Sequence, residues 1–133
     1  GMFGRSPDHV ASFVTGMAMN PAALPAPNAF ADNLLKYHRH IRDNDVYVVY
    51  AVLPPQAARN PEFYVKKDIP VPSLRVVRED DDGVVVSGMK MLATGALYAN
   101  EIWIGNVIPL APDQKKEAIT CAVPCNGEAV KPR

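Results

Sequence analysis

Residues Val46–Leu53 read VYVVYAVL, a continuous apolar run of β-branched and aromatic side chains. A run of this length and composition is typical of a buried β-strand. Pro54 and Pro55 follow it directly and end the predicted strand. Apolar residues recur at helical spacing before this run, and short strand-like runs follow it. We therefore expect a helical segment over residues 1–44 and an antiparallel β-domain over residues 45–133.

Two helices are predicted before this run. The first is expected over Pro7–Met19 and the second over Asn28–Asp43, and a linker rich in proline and alanine separates them. Each helix carries an apolar stripe at helical spacing: Val10, Phe13, Val14 and Met17 in the first, and Phe30, Leu34, Tyr37 and Ile41 in the second. Lysine, arginine and histidine side chains crowd the last turns of the second helix, where cations interact favourably with the helix dipole.

Four further strands are predicted after an irregular segment that runs to Pro72. Their expected ranges are Ser73–Glu79, Val84–Leu92, Glu101–Ile108 and Glu117–Val123. The acidic stretch before Gly83 predicts a hairpin between the first two of these strands. Because no helical pattern separates the strands, the sequence favours a small antiparallel barrel or sandwich over a parallel nucleotide-binding sheet. The predicted fold class is therefore α+β, with two helices followed by a β-domain.

The composition excludes several function classes. Fourteen basic and fourteen acidic residues give a net charge of zero, which predicts binding neither to nucleic acid nor to an anionic membrane surface. The chain contains no glycine-rich phosphate loop, and no apolar run approaches the ~20 residues of a membrane span. Cys121 and Cys125 lie about 13 Å apart if both belong to one strand, too far for a disulfide. Two reduced, buried thiols without a metal predict a cytoplasmic protein.

A short motif near the start of the chain carries the first sign of chemistry. Gly4-Arg5-Ser6-Pro7-Asp8 places an arginine beside a predicted helix start. The guanidinium and the helix N–H groups together suit a carboxylate, a phenolate or a developing oxyanion. An ion pair of Arg5 with Asp8 or Asp32 is the alternative that composition leaves open.

Three further strings follow this motif in a characteristic order. They are Val49-Tyr50-Ala51 leading to Pro55-Gln56-Ala57-Ala58-Arg59, then Lys90–Gly95 leading to Ala96–Glu101, and finally Ala118–Pro124. In this order, from Gly4 to about Gly127, the chain resembles the oxygenase component of the 4-hydroxyphenylacetate 3-monooxygenase family. The resemblance implies a two-component enzyme that takes reduced FAD from a separate reductase. Such an enzyme hydroxylates a small phenol ortho to its hydroxyl group by way of a flavin hydroperoxide.

The same resemblance implies a fold similar to that of acyl-CoA dehydrogenases. The chain then corresponds to the end of the N-terminal helical domain and most of the middle β-domain, without the C-terminal helical domain. We therefore expect the chain by itself to be inactive, and to self-associate as a homo-oligomer that covers its exposed apolar surface.

The resemblance also assigns roles to individual residues. Substrate-handling roles fall on Arg5, His9, Tyr50, Tyr98 and Ala99, of which Arg5, His9 and Tyr50 are the candidate catalytic residues. Flavin-binding roles fall on Gln56, Ala57, Ala58, Arg59 and Thr94. His9 stands where relatives commonly have tyrosine and Tyr50 where they have histidine, while Ala58 replaces an acidic residue. Both tyrosine and histidine can hydrogen-bond a phenol, so the exchange is compatible with the same chemistry on a different substrate. The alternative is that His9 and Tyr50 are local replacements in a diverged relative. We expect Arg5, His9, Tyr50 and Tyr98 to line one cleft, with Gln56, Arg59 and Thr94 on its flavin side. Apolar walls around Tyr98 would exclude water from this cleft.

Two other function classes compete with this interpretation. A diverged acyl-CoA dehydrogenase-like protein or hydroxyacyl-CoA dehydratase would share the fold. The dehydratases that carry an iron–sulfur cluster need a cysteine in the first motif, where this chain has Ser6. The other alternative is a non-catalytic module that keeps the β-domain for binding or assembly.

Overall fold

The computed structural model describes residues 8–24, 30–81, 83–128 and 130. Within these ranges the chain forms three α-helices and five strands. In chain order they are α1 (His9–Met19), α2 (Phe30–Asp43), β1 (Val48–Ala51), α3 (Pro61–Lys66), β2 (Arg75–Asp80), β3 (Gly83–Ser87), β4 (Glu101–Ile104) and β5 (Cys121–Pro124). Short 3₁₀ helices cover Pro21–Ala23, Gln56–Arg59 and Lys115–Glu117. The order of two helices followed by short strands confirms the predicted α+β class.

Helices α1 and α2 pack against each other through the predicted stripes. Val10 and Val14 of α1 are almost completely buried, as are Leu34 and Ile41 of α2. The starts predicted at Pro7 and Asn28 lie outside the described residues. The C-terminal end of α2 is capped by Asn44, whose backbone and side-chain nitrogens both donate to the carbonyl oxygen of His40. These bonds satisfy an acceptor that the end of a helix leaves open, which fixes the boundary before β1.

The three-stranded sheet has the order β1-β4-β5. Along β1 and β4 the hydrogen bonds advance in the same direction, from Glu101 N to Tyr47 O and from Gly105 N to Ala51 O, so these strands are parallel. Strand β5 runs antiparallel to β4, because the residue that follows β5 bonds to the residue that precedes β4. The sheet is therefore mixed rather than purely antiparallel. A parallel pair requires a long crossover, and the segment between β1 and β4 provides it.

The predicted hairpin is formed by β2 and β3, which pair antiparallel. Val77 is left out of the register between Val76 and Arg78 and forms a β-bulge. Strand β3 is shorter than predicted because the backbone at Gly88 has a φ of 129° and lies against the carbonyl of Ser73. Beyond β3 the pairing continues as isolated β-bridges, between Met89 and Ser73 and between Met91 and Leu53. Among the described residues the strands form these two sheets and no closed barrel.

Strand β4 ends four residues earlier than predicted. Its continuation is held by Lys90, whose Nζ donates to Gly105 O at 2.9 Å and to Asn106 Oδ1 at 2.6 Å. Asn106 in turn donates its side-chain N–H to the carbonyl of Glu117. These bonds occupy the Gly105 carbonyl and the Asn106 side chain just beyond the strand end, and burial of Lys90 lowers its pKa. The strand predicted from Glu117 is also shorter, because a 3₁₀ helix precedes β5.

The segment predicted to be irregular contains helix α3. Its signals are local: Asn60 precedes the helix, Pro61 occupies the first position, Glu62 lies in the first turn and Lys66 in the last. The six residues of this helix are too few to show an apolar stripe, and none of them is buried. Periodicity alone therefore could not reveal it.

The chain divides into two compact units, and β1, β4 and β5 each contribute residues to both. The first unit comprises Gly1–Val49, Thr94–Ile102 and Val123–Arg133, and the second comprises Tyr50–Ala93 and Trp103–Ala122. Buried apolar residues of the first unit are Val10, Val14, Leu34, Ile41, Val48, Val49 and Ile102. Those of the second are Ala51, Leu74, Trp103 and Ile104. In the described part of the chain no helix has the length and apolarity needed to cross a bilayer.

Candidate functional site

The predicted site residues are distributed over both units. His9, Thr94, Tyr98 and Ala99 belong to the first unit, and Tyr50 and the segment Gln56–Arg59 belong to the second. Arg5 lies outside the described residues, so its predicted role stays a prediction. Within the first unit, the structure brings Thr94, Tyr98 and Ala99 together in a single turn.

This turn, residues 94–100, is hereafter called the Tyr98 turn. Its amides bond locally, from Tyr98 N to Gly95 O at 2.9 Å and from Ala99 N to Ala96 O at 3.4 Å. The side chains of Leu97 and Tyr98 remain 84% and 83% exposed. The described residues therefore do not form the apolar walls expected around Tyr98.

Gly95 allows the Tyr98 turn to begin close to β1. Its φ is 86°, in the left-handed region that other residues rarely adopt. A β-carbon at this position would lie 2.9 Å from Tyr47 Oη and 3.4 Å from Val49 Cγ1. Glycine is thus required by the backbone conformation, and it also avoids a close contact with the end of the Tyr47 side chain.

The far end of the Tyr98 turn is fixed to the same residue. Asn100 N donates to Tyr47 O at 2.9 Å, and Tyr47 N donates to the side-chain oxygen of Asn100 at 2.9 Å. Glu101 N also approaches Tyr47 O, at 3.3 Å, and Cys125 N donates to Asn100 O at 2.8 Å. The backbone at the end of the turn is therefore held from two sides, by the residue before β1 and by the residue after β5.

The carboxylate of Glu101 connects this point to helix α2. The Tyr37 hydroxyl donates to Glu101 Oε2 at 2.9 Å, and His40 Nε2 lies 2.9 Å from Oε1. Since a carboxylate accepts hydrogen bonds, the His40 ring donates here. Burial, and then the hydrogen bond to Glu101 and its negative charge, raise the pKa of Tyr37 far above the ordinary tyrosine value, so this hydroxyl stays protonated.

His9 and Tyr50, which stand where relatives have tyrosine and histidine, are both half-buried. His9 is the first residue of α1, and its ring lies edge-on to Phe13 with centroids 5.9 Å apart. Tyr50 lies in β1 between Val49 and Ala51, which are more deeply buried. Each ring is thus carried by a regular element, which limits its movement.

The predicted flavin segment forms a 3₁₀ helix over Gln56–Arg59, and Ala58 N donates to Pro55 O at 2.9 Å. Side chains three residues apart are eclipsed in a 3₁₀ helix, so Gln56 and Arg59 lie on the same side. Both are exposed. A neutral amide and a cation are therefore available together for an external ligand with an anionic group.

Cys121 and Cys125 are free thiols, but they are half-buried rather than fully buried. Burial raises the pKa of both, and the negative charge of Glu101 adds to the increase at Cys125. A thiol with a raised pKa is mostly protonated at neutral pH and is a poor nucleophile. In the residues that the structure describes, no group of three or more histidine, cysteine or acidic residues could hold a metal ion.

Sequence reasoning missed the residues that fix the Tyr98 turn. Tyr47, Asn100 and Glu101 were not predicted as site residues. Tyr37 was assigned only to an apolar stripe, and His40 only to the cations of the helix end. One signal was available: Glu101 is the only charged residue in a strand whose other members are buried. A carboxylate at that position requires partners.

Comparison with known proteins gives a consistent match along the chain. The family model described as 4-hydroxyphenylacetate 3-hydroxylase N terminal matches residues 1–132. The 4-hydroxyphenylacetate 3-monooxygenase oxygenase component of Thermus thermophilus is 36% identical over 93% of this chain and 25% of its own length. The 4-nitrophenol 2-monooxygenase oxygenase component of a Rhodococcus species is 31% identical over 98% of this chain and 24% of its own length. The chain spans about a quarter of the length of the curated relatives it matches.

Solved structures agree with these relatives. An oxygenase component of 4-hydroxyphenylacetate 3-monooxygenase, complexed with FAD and 4-hydroxyphenylacetate, superposes with a TM-score of 0.75 at 31% identity, over 93% of this chain and 25% of that one. An archaeal 4-hydroxybutyryl-CoA dehydratase gives a TM-score of 0.67 at 22% identity, over 90% of this chain and 23% of that one, which shows a shared fold alone. The resemblance drawn from the ordered motifs is thus confirmed: the chain belongs to the 4-hydroxyphenylacetate 3-hydroxylase N-terminal family.

Proposed function

We propose that this chain supplies substrate- and flavin-binding residues of the oxygenase component of a two-component, FAD-dependent phenol hydroxylase. The observation that carries the proposal is the match to a relative's structure that contains both FAD and 4-hydroxyphenylacetate, over nearly the whole of this chain. Several matched relatives are named as monooxygenases, and their names include different phenols. We therefore propose the reaction class, with a phenolic substrate that differs from 4-hydroxyphenylacetate because of the exchange at His9 and Tyr50.

The residues proposed for FAD suit its chemistry. Gln56 and Arg59 are exposed on one side of a 3₁₀ helix, and the Thr94 hydroxyl is exposed in the Tyr98 turn. An amide and a hydroxyl can hydrogen-bond the polar edge of the flavin ring, and a guanidinium can bind the pyrophosphate. When bound in its reduced form, FAD would supply the electrons that activate dioxygen. Ala58 provides no acidic group, so Gln56 and Arg59 carry this segment's polar contacts.

The residues proposed for the phenol act on its oxygen. Arg5 is a permanent cation that stabilises a phenolate, while the rings of His9 and Tyr50 can donate to or accept from a phenol oxygen. Hydroxylation ortho to that oxygen is favoured when the ring is electron-rich, and a phenolate is more electron-rich than a phenol. The Tyr98 turn presents an aromatic ring and Ala99 as apolar contacts for the substrate. We further propose a separate flavin reductase as partner and a homo-oligomer that covers exposed apolar side chains such as Leu97 and Val65.

The proposal can be tested in a hybrid oxygenase. The Thermus thermophilus relative would carry this chain in place of its corresponding segment, and the unmodified relative would be the positive control. With reduced FAD, oxygen and a panel of para-substituted phenols, we expect a catechol product from at least one phenol. A hybrid that binds FAD yet releases only hydrogen peroxide with every phenol would contradict the proposal. It would favour a binding or assembly role for this segment.

A further inference from the structure

One side chain links the Tyr98 turn to helix α2. Both carboxylate oxygens of Glu101 are occupied, Oε2 by the Tyr37 hydroxyl and Oε1 by the His40 ring, each at 2.9 Å. The Glu101 side chain is 19% exposed, against 46% for His40. A carboxylate with two donors in a partly desolvated place forms stronger hydrogen bonds than one on an open surface.

The remaining contacts show why this link matters for Tyr98. Backbone bonds hold Asn100 and the Glu101 amide to Tyr47, whereas the Tyr98 amide bonds only within the turn, to Gly95. Tyr98 itself is 83% exposed. Its placement is therefore set by the two ends of the turn, and Glu101 is the side chain that ties the second end to a helix.

We propose that Glu101 is a positioning residue, held by Tyr37 and His40, that orients the Tyr98 turn toward the phenolic substrate. The substrate half of this inference rests on the proposed function, whereas the anchoring half concerns the chain alone. Glu101 does not need to touch substrate for this role. It acts by limiting the conformations of the turn that carries Tyr98 and Ala99, so less conformational entropy is lost when a ligand binds.

Amide hydrogen exchange in the isolated chain tests the anchoring. Glu101→Ala should accelerate exchange at the Tyr98 and Asn100 amides about tenfold, because two bonds to a charged group are lost. Glu101→Gln should stay within about threefold of the unsubstituted chain, because the carboxamide oxygen can accept from Tyr37 and its NH₂ group can donate to His40. The matched control is Glu62→Ala, which removes an exposed glutamate from α3. The amide of Val14 in α1 serves as the reference for global unfolding.

Unchanged exchange at Tyr98 and Asn100 in Glu101→Ala would overturn the inference, as would equal acceleration in Glu62→Ala. If Glu101→Ala accelerates Val14 equally, the variant is destabilised as a whole and Tyr37→Phe replaces it. That variant keeps the carboxylate but removes one donor, and we expect about threefold faster exchange at the turn alone. No acceleration at the turn in Tyr37→Phe would likewise overturn the anchoring.

Titration with the same panel of para-substituted phenols, followed at the Tyr98 and Ala99 amides by NMR, tests the substrate half. We expect the dissociation constant to rise about tenfold in Glu101→Ala and to recover in Glu101→Gln. Equal affinity in all three forms would overturn the positioning role. An unsubstituted chain whose turn responds to no phenol of the panel would overturn the substrate half. The exchange data would still decide the anchoring, and the hybrid enzyme would decide the proposed function.

Discussion

Replacement of Gly95 by alanine tests the geometry of the Tyr98 turn most sharply. The left-handed backbone at a φ of 86° costs a residue with a β-carbon roughly 1–2 kcal/mol. The new β-carbon would also lie 2.9 Å from Tyr47 Oη, but that atom is the end of a side chain and can shift at little cost. We expect the free energy of unfolding to fall by about 1–2 kcal/mol, which lowers Tm by about 5 °C in a chain of this size.

The control is Gly16→Ala in helix α1, where a β-carbon would meet no atom within 4 Å. Alanine is the better helix former by ~0.5–1 kcal/mol, so this variant should gain stability. Thermal and urea unfolding, followed by circular dichroism, would measure both. Combination with Tyr47→Phe should remove only the small steric part of the Gly95→Ala cost. A Gly95→Ala chain as stable as the unsubstituted chain would refute the left-handed turn and its close approach to Tyr47.

Three further predictions concern other parts of the chain. Gly88→Ala should lower the free energy of unfolding by about 3 kcal/mol, measured by urea unfolding, because its β-carbon would overlap the backbone oxygen of Ser73, which has little freedom to move. A loss smaller than that of Gly95→Ala would contradict this. The raised pKa of Tyr37 adds stability that is complete below the ordinary tyrosine pKa of 10.0 and is lost as the pH rises beyond it. The fall in the free energy of unfolding between about pH 9 and about pH 11 should therefore be shallower in Tyr37→Phe, and identical slopes would argue against it. Because their pKa values are raised, Cys121 and Cys125 should react with iodoacetamide at about pH 8 more slowly than free cysteine does. Mass spectrometry would measure the rates, and rates equal to that of free cysteine would show that the pKa values of these thiols are not raised.

The parts of the fold that depend on local pattern were predictable. The apolar run at Val46–Leu53 contains β1, and the predicted stripes bury Val10 and Val14 of α1 and Leu34 and Ile41 of α2, although Phe30 at the start of α2 is exposed. Gly83 opens β3 at the predicted hairpin. In each case the signal lies within a few neighbouring residues, because side-chain spacing on a helix or strand decides which face is buried.

The parts that depend on distant partners were not predictable. The end of β4 is set by Lys90, and the direction of β1 relative to β4 is set by a long crossover. Glu101 finds its partners 64 and 61 residues away in Tyr37 and His40. No periodicity encodes such pairs, so the residues that anchor the Tyr98 turn appear only in three dimensions. The site residues drawn from the family resemblance stay predictions, because their roles concern a phenol and a flavin.

The central claim is that Arg5 serves the phenol and Arg59 serves the flavin. The most direct measurement compares Arg5→Ala and Arg59→Ala in the hybrid oxygenase, with the FAD dissociation constant and the catechol yield determined for each. We expect Arg59→Ala to weaken FAD binding by roughly tenfold or more and to raise hydrogen peroxide release, since a charged contact to the pyrophosphate is lost. Arg5→Ala should leave FAD affinity within about twofold while catechol formation falls by about a hundredfold. Equal effects of both substitutions on FAD affinity, or unchanged hydroxylation in Arg5→Ala, would contradict the account.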